Sequence, residues 1–460
     1  MRVGHLIGPE LRDILRDSPG EVSALLEEIH PEDVADVIAE LPEEEAAKLL
    51  GQISAEDAAT IFERLDDHDQ EAIAEQMGPS SVAHIAAEME PDDRAELLEM
   101  LDDQMSEAIF AQLEKVDPEA AEEVSEIDKW PDASAGRLMT TDYVSTEAGG
   151  TVGDAVASVR RAADVEFADY VYVTSTSGRL AGVVSIRELL LAEPALLLKE
   201  LITENVITVE PKLDQEDAAR RMAKYDLTAL PVVDERGVFL GIITVDDVID
   251  VLTEEQSEDV QRLGAIEPLD APYFATPYWT FIKKRASWLL ALFVGEFFTG
   301  SALRHYDDVL SAVGKLAFYV PLLISTGGNS GGQSSSLIIR GMAVGEVKLS
   351  DWSRVLGREL AQGVVLGLIL AIIGVARVMM WGDGARFAFV IGATLVGIVT
   401  MGCTVGSMLP FALKKMKFDP ATSSAPFIAS LVDVLGIIIY FNIAQLLLSD
   451  VINAAIQQHR

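Results

Sequence analysis

Hydrophobic and polar positions along this chain follow three regimes. Between residues 30 and 113 the pattern repeats every twelve positions. HPEDVADVIAEL, PEEEAAKLLGQI and SAEDAATIFERL begin at His30, Pro42 and Ser54, and four more units follow without a gap. Each opens with Pro, Ser or Asp and acidic groups, then places apolar residues at helical spacing. Those are the marks of a capped helix whose first turn complements the macrodipole. Stacked end to end, such units predict a small all-α superhelix. His30, His68 and His84 have no ligand-like neighbours and read as incidental.

From Val144 the pattern changes to short β-rich runs alternating with amphipathic segments. VSTEAGGTVGDAVASVRR and YVYVTSTSGRLAGVVSIRELL are echoed from Ile207 by ITVEPKLDQEDAARRMAKYDLTALPVVDERGVFLGIITVDDVIDVL. Each copy reads strand, helix, strand, glycine turn, strand, helix, an α/β unit. The duplication resembles a tandem pair of CBS modules, which implies a disc-like pair and adenine nucleotides as ligands. On that resemblance Thr244 and Asp247 of GIITVDD stand where the family holds ribose and phosphate. The first copy has Ser185 and the longer Glu188 instead. A purely structural pairing of modules is the competing reading.

Beyond residue 285 the apolar runs lengthen to about 286–303, 312–339, 359–381, 387–413 and 424–449. Each is long enough for ~30 Å of hydrocarbon at ~1.5 Å per residue. STGGNSGGQSSS interrupts the second run, where Pro321 and the glycines predict a loosened helix. Lys283, Lys284 and Arg285 precede the first run; Arg340, Lys348, Arg354 and Arg358 surround the second loop, and Lys414, Lys415 and Lys417 the fourth. The positive-inside rule then sets the N-terminal half in the cytoplasm and, with five spans, the C-terminus outside, in a plasma (inner) membrane. Gly392, Gly397, Gly402 and Gly406 prepare the fourth span for close packing. Arg377, near its outer end, reads as a snorkelling side chain on the third span. MRVGHLIGPELRDILRD, at the start, lacks the apolar stretch of a signal peptide.

Charge separates the halves. Residues 283–460 hold 15 Lys and Arg against 10 Asp and Glu, a net of +5; the first 282 hold 20 against 64, a net of −44. Such a surface is a poor partner for nucleic acid; it either stays soluble by self-repulsion or meets cations. The single cysteine, Cys403, excludes an intrachain disulfide. No nucleophile–base pair or phosphate-binding Gly-rich loop with its Lys appears, so an enzyme is not expected.

Acidity is densest where the second module runs into the membrane. Asp246, Asp247, Asp250, Glu254, Glu255, Glu258 and Asp259 fall within fourteen residues, inside one another's ~8 Å screening length. Thr253 and Gln256 form a capping-box pair, predicting a connecting helix that starts there. In the fifth span, ASLVDVLGIIIYF carries Asp433. A carboxylate at membrane depth costs roughly 2.5–3.5 kcal/mol and is functional by default. No basic residue of the spans is an obvious partner, so a cation passing through water is its natural counter-charge; a protonated structural Asp is the competing reading. The second span offers Asn329, Gln333, Ser334, Ser335 and Ser336, polar groups that survive only in protein or against water. Oxygen-only surroundings point to a hard ion such as Mg²⁺, and leave Ca²⁺ and Mn²⁺ open.

GGNSGGQSSSLIIRG, KFDPATSSAPF and LVDVLGIIIYF, taken with the order of parts, resemble the MgtE family of magnesium channels over residues 25–450. The resemblance implies four parts: an acidic helical-repeat domain at 1–130, the CBS pair at 137–252, a connecting (plug) helix and linker at 253–282, and five membrane helices at 283–460. It further implies a homodimer in the lipid bilayer, with the pore between the second and fifth spans of both copies. Asp433 takes the place of the pore carboxylate and Asn329 lines the pore. Asp92, Asp93, Asp246, Asp247, Asp250, Glu254, Glu255, Glu258, Asp259 and Asp419 become candidates for sensing cytosolic Mg²⁺. The expected function is a Mg²⁺ channel that closes when cytosolic Mg²⁺ is high, with ATP at Thr244 and Asp247 as a possible modulator. The rivals are a proton- or sodium-coupled divalent-cation carrier, and a membrane-anchored nucleotide or cation sensor that conducts nothing.

Overall fold

Helices begin at residues 31, 43, 55, 67, 79, 91 and 103, one for each twelve-residue unit. The computed structural model describes residues 29–459 except 163–164, 166–168, 270, 272 and 275; the opening residues read for a signal peptide lie outside the described residues. The chain forms two compact units, Met1–Thr253 and Glu254–Arg460.

The repeat holds because the same positions of each unit are buried. Val34, Ala35, Val37 and Ile38 have counterparts in Ala46, Ala47, Leu49 and Leu50, and again in Ala58, Ala59, Ile61 and Phe62, all in one core. That spacing lays a stripe down one face of each helix, and stacking buries it. Side-chain caps start three of the seven repeat helices; those after Pro42, Asp66, Gly78 and Glu90 begin without a side-chain cap bond. Ser54 Oγ accepts the Asp57 amide at 3.1 Å, and Asp102 accepts that of Met105 at 2.9 Å. His30, read as incidental, is itself a cap: its Nδ1 accepts the Glu32 amide at 3.2 Å. Gly78, at φ 78°, turns the chain directly from one helix into the next, a conformation glycine adopts without strain. An eighth helix, Pro118–Ile127, follows. Arg94, 4% exposed, ties it to the repeats, pairing with Glu123 at 2.8 Å and donating to the carbonyls of Ala86, Met89 and Ala120.

The α/β repeat gives two small sheets. Strand β1 (Ser145–Glu147) lies parallel to β2 (Tyr170–Thr174), which is antiparallel to β3 (Leu180–Ser185); β4 (Ala229–Val233) pairs antiparallel with β5 (Phe239–Thr244). The strand expected at the start of the second copy is reduced to one bridge, Val209 with Val232. Tyr143, Tyr172 and Phe239 join the copies, with ring centroids 4.4–6.1 Å apart.

The connecting helix does not start at Thr253. It runs from Val245 to Leu263, and the Thr253 hydroxyl bonds back to the Ile249 carbonyl at 2.8 Å. The capping-box pair is thus mid-helix, because β5 delivers the chain directly into a helix that Thr244 and Asp247 already cap.

In the second unit five long helices follow: Tyr278–His305, Val320–Ala343, Trp352–Trp381, Ala385–Lys415 and Ala425–Leu447. Four of the helices, with Leu349 opening the third, are both long and apolar enough to cross a membrane. The second has the length, 24 residues, but too many Gly, Ser and amide positions. It is not loosened as its composition suggests. Pro321 falls in the first turn, where no helical hydrogen bond is lost, and the glycines are helical throughout. The fourth helix is central, 56% buried over its apolar window, against 6% for the first. The first shows Leu289, Leu290, Phe293, Phe297 and Phe298 outward, as a lipid-facing helix does. Arg377 lies 4.3 Å over the Trp381 ring, a cation–π contact at the helix end that fits snorkelling.

Candidate functional site

The glycines of the second and fourth membrane helices bring their backbones together. A Cβ on Gly402 would come 2.6 Å from the Gly327 carbonyl oxygen, and one on Gly406 would overlap that of Gly331. The fifth helix approaches on another side, where a Cβ on Gly328 would stand 3.1 Å from that of Ala429. With its small residues committed to packing, the second helix turns its polar ones elsewhere. Ser325, Asn329, Gln333 and Ser336 line a cavity of about 1030 Å³, and Asp433 of the fifth helix joins them. Ser334 and Ser335, expected beside them, are instead buried in the bundle. Asn329 and Asp433 therefore share one cavity, with Ser325, Gln333 and Ser336 set among its glycine and apolar walls.

A second intramembrane acid escaped the sequence reading. Glu296, on the first helix, is exposed and accepts the Ser430 hydroxyl at 3.3 Å, one turn before Asp433. The signal was a lone Glu in FVGEFFTG, an apolar run. Asp419 precedes the fifth helix. Its Oδ1 caps the following turn, 2.8 Å from the Ala421 amide, and its Oδ2 takes Arg262 at 2.6 Å. Arg262 also pairs with Glu258 at 2.5 Å, so a guanidinium already bridges two of the carboxylates named as cation sensors.

In the first unit the carboxylates of the sixth repeat helix and the connecting helix meet. Asp92 Oδ1 is sealed from solvent without a hydrogen-bond partner. Burial pushes the Asp92 carboxyl well above the usual range, and the charges of Asp247 and Asp93 add to it. Burial, then Glu63, Glu90, Asp247 and Glu96, pushes Asp93 up to about 9. Burial, then Asp246 and Asp250, raises Asp247 to about 6 against the hydrogen bonds of Thr244. Asp250 is raised by burial and Asp246. Asp92, Asp93 and Asp247 thus sit among like charges. Asp246, Asp250 and Glu254 are exposed, Glu255 and Asp259 half-exposed. No three His, Cys, Asp or Glu among the described residues close into a ready metal cage. An ion held here would keep most of its water, which Mg²⁺ does.

Thr244, buried, and Asp247 bond to each other. The Thr244 hydroxyl donates to Asp247, whose carboxylate also takes the Thr244 amide at 3.3 Å. The open cleft, about 590 Å³, is lined by Asp169, Tyr170, Ser185, Arg187 and Thr228. Glu188, whose length cast doubt on the first copy, is folded back in a capping box with Ser185.

Models of known families match along most of the chain. An MgtE intracellular N domain matches residues 29–133, CBS domains 135–194 and 198–254, and the MgtE divalent cation transporter model 320–443. The magnesium transporter MgtE of Thermus thermophilus is 43% identical over 73% of this chain and 74% of its own length. That of Bacillus subtilis is 35% identical over 71% and 72%. Among solved structures, the soluble part of a magnesium transporter covers 54% of this chain and 97% of its own, at 32% identity and a TM-score of 0.51. The chain belongs to the MgtE family.

Proposed function

We propose that this protein is a Mg²⁺ channel of the plasma membrane, built as a homodimer and closed by high cytosolic Mg²⁺. The observation that carries the reading is the cavity in which Asp433 joins Asn329, Gln333 and Ser336. Its walls come from two helices of one copy; a second copy facing it would complete a water-filled path. A hydrated Mg²⁺ suits oxygens around space rather than a tight cage. The repeat domain and CBS pair lie in the cytoplasm and the C-terminus outside, by the distribution of basic loops.

Closure follows from charge. Without divalent cations, Asp92, Asp93, Asp247 and their neighbours repel, and −44 charges per chain push the cytosolic parts of a dimer apart. Mg²⁺ between them favours the compact arrangement, and it closes the pore only if that state binds the ion more tightly. Asp246, Asp250, Glu254, Glu255, Glu258 and Asp259 extend the same acidic face along the connecting helix.

Uptake of Mg²⁺ into liposomes holding the purified protein tests the path. Wild type conducts and Asp433→Asn loses flux by an order of magnitude or more; equal flux would make the acid structural. Flux that requires a proton or sodium gradient would favour a coupled carrier, and silence even after removal of the cytosolic part a mere sensor. Asp92→Asn with Asp247→Asn should hold the pore open at high internal Mg²⁺.

ATP binding is a second reading, and the cleft at Arg187 favours it over Thr244 and Asp247. Its guanidinium is the phosphate-binding group. Arg187→Ala should abolish ATP binding measured by calorimetry, while Asp247→Ala should not; the reverse result would return the site to Thr244.

A further inference from the structure

Behind the cavity-lining helix is a carboxylate that conduction through the cavity does not use. Glu359, in the third membrane helix, is 7% exposed. Its Oε2 accepts the Ser334 hydroxyl at 2.7 Å. One turn on, Gln362 donates to Oε1 at 3.2 Å, in the amide orientation that also lets it accept from Arg358 Nε at 3.2 Å. The adjacent Ser335, 1% exposed, reaches the Ser423 carbonyl at 3.2 Å. The second membrane helix is thus pinned by two hydroxyls on its buried side, while Asn329, Gln333 and Ser336 point into the cavity.

A carboxylate inside a membrane bundle is costly, and close packing of Gly-rich helices does not need one. What it supplies is direction. Turning a helix by ~10° swings a side-chain oxygen ~5–6 Å from the axis by about 1 Å, enough to misplace a group that reads a hydrated ion. Apolar contacts between glycines resist such a turn weakly; a 2.7 Å hydrogen bond across to a second helix resists it strongly. We propose that Glu359 is a positioning residue of the cation path: through Ser334 it sets the rotation of the second membrane helix, and so the placement of Asn329, Gln333 and Ser336 in the space they share with Asp433. The proposal rests on reading that cavity as the path.

Full-length protein in liposomes separates the possibilities, with half-saturating Mg²⁺ concentration and maximal flux per reconstituted protein measured separately. Glu359→Ala and Ser334→Ala should each raise the half-saturating concentration several-fold and change the ratio of Mg²⁺ to Mn²⁺ flux. The double variant should go no further than either single one, since both break the same bond. Glu359→Gln, whose amide oxygen still accepts from Ser334, should return to wild-type values. A half-saturating concentration unchanged in Ser334→Ala overturns the proposal, and that variant carries the test if Glu359→Ala does not assemble. Glu359→Gln as impaired as Glu359→Ala also overturns it, because the charge and not the bond would then matter. Asp433→Asn in parallel keeps the two readings apart: undiminished flux there removes the path itself, whereas lost flux there with an unaltered Ser334→Ala removes only the positioning role.

Discussion

Glu296 on the first membrane helix is tied to the fifth through the Ser430 hydroxyl, three residues before Asp433. Of the two acids only Asp433 lines the cavity, so Glu296 contributes field rather than contact. Removing a unit charge a few ångströms away in a wet site is worth on the order of 1 kcal/mol. Glu296→Gln should therefore weaken apparent Mg²⁺ affinity roughly three- to tenfold without abolishing flux, an effect that high salt diminishes; unchanged uptake at low ionic strength would place the side chain in lipid headgroup or protein surroundings of no consequence to the ion. Arg94 has the opposite character, a structural charge with no ion to meet. Its guanidinium satisfies three carbonyls and Glu123, and Arg94→Met removes all four of these bonds. A loss of about 2–4 kcal/mol should show in denaturant unfolding of the protein, with pore flux at low Mg²⁺ little altered.

Between helices, the decisive residues are those without side chains. Gly406 faces the Gly331 carbonyl, and a Cβ there would overlap it; neither backbone can move without moving its helix. Gly357, in the third helix, has nothing within 4 Å of the same position. Gly406→Ala should lower the melting temperature in detergent and the yield of folded protein. Gly357→Ala should leave both unchanged or raise stability by about 0.5–1 kcal/mol, the helix preference of Ala over Gly. Equal effects of the two changes would mean that the packing of the second and fourth helices is not close. The sequence already pointed to a close-packed fourth helix, because small residues at helical spacing are a local pattern. It misled on the second helix for the same reason: glycine and proline read locally as breakers, and only neighbouring helices and the position of Pro321 decide otherwise. Thr253 failed similarly, as a capping pair is legible from four residues while the helix through it is set by β5. Ser334 and Ser335 could be read as polar, but their burial goes with partners far along the chain, Glu359 for Ser334 and Ser423 for Ser335.

The twelve-residue repeat, the duplicated α/β copies and the long apolar runs were legible because each is a periodic property of the chain. The crowding of Asp92 and Asp93 on Asp247 was not, since it joins positions about 155 residues apart through folding alone. That crowding makes stability depend on pH and, on the proposed sensing role, on Mg²⁺. The folded protein holds protons on Asp93 up to about 9 and on Asp247 up to about 6, above the ordinary aspartate value of 3.8. The native state therefore binds more protons than the unfolded chain between these limits, and the linkage relation makes stability fall as pH rises. The decline begins near pH 4, where unfolded carboxyls ionise. Asp247 ceases to add to it above about 6, and Asp93 above about 9. Asp92, also raised by burial and by the charges of Asp247 and Asp93, adds in the same direction. On the proposed sensing role Mg²⁺ has the reverse dependence, because it would compete with those protons for the ionised acids. By mass action it stabilises only the form it binds. The melting temperature of the purified protein without divalent cations should thus drop from pH 5 to pH 8.5, while the rise produced by millimolar Mg²⁺ should be small at pH 5 and large at pH 8.5. Asp92→Asn together with Asp93→Asn should flatten the metal-free decline and shrink the Mg²⁺ response, since both remove charge from the same cluster. A Mg²⁺ response of equal size at pH 5 and 8.5 would place the stabilising ions elsewhere on the acidic surface and separate the buried acids from sensing.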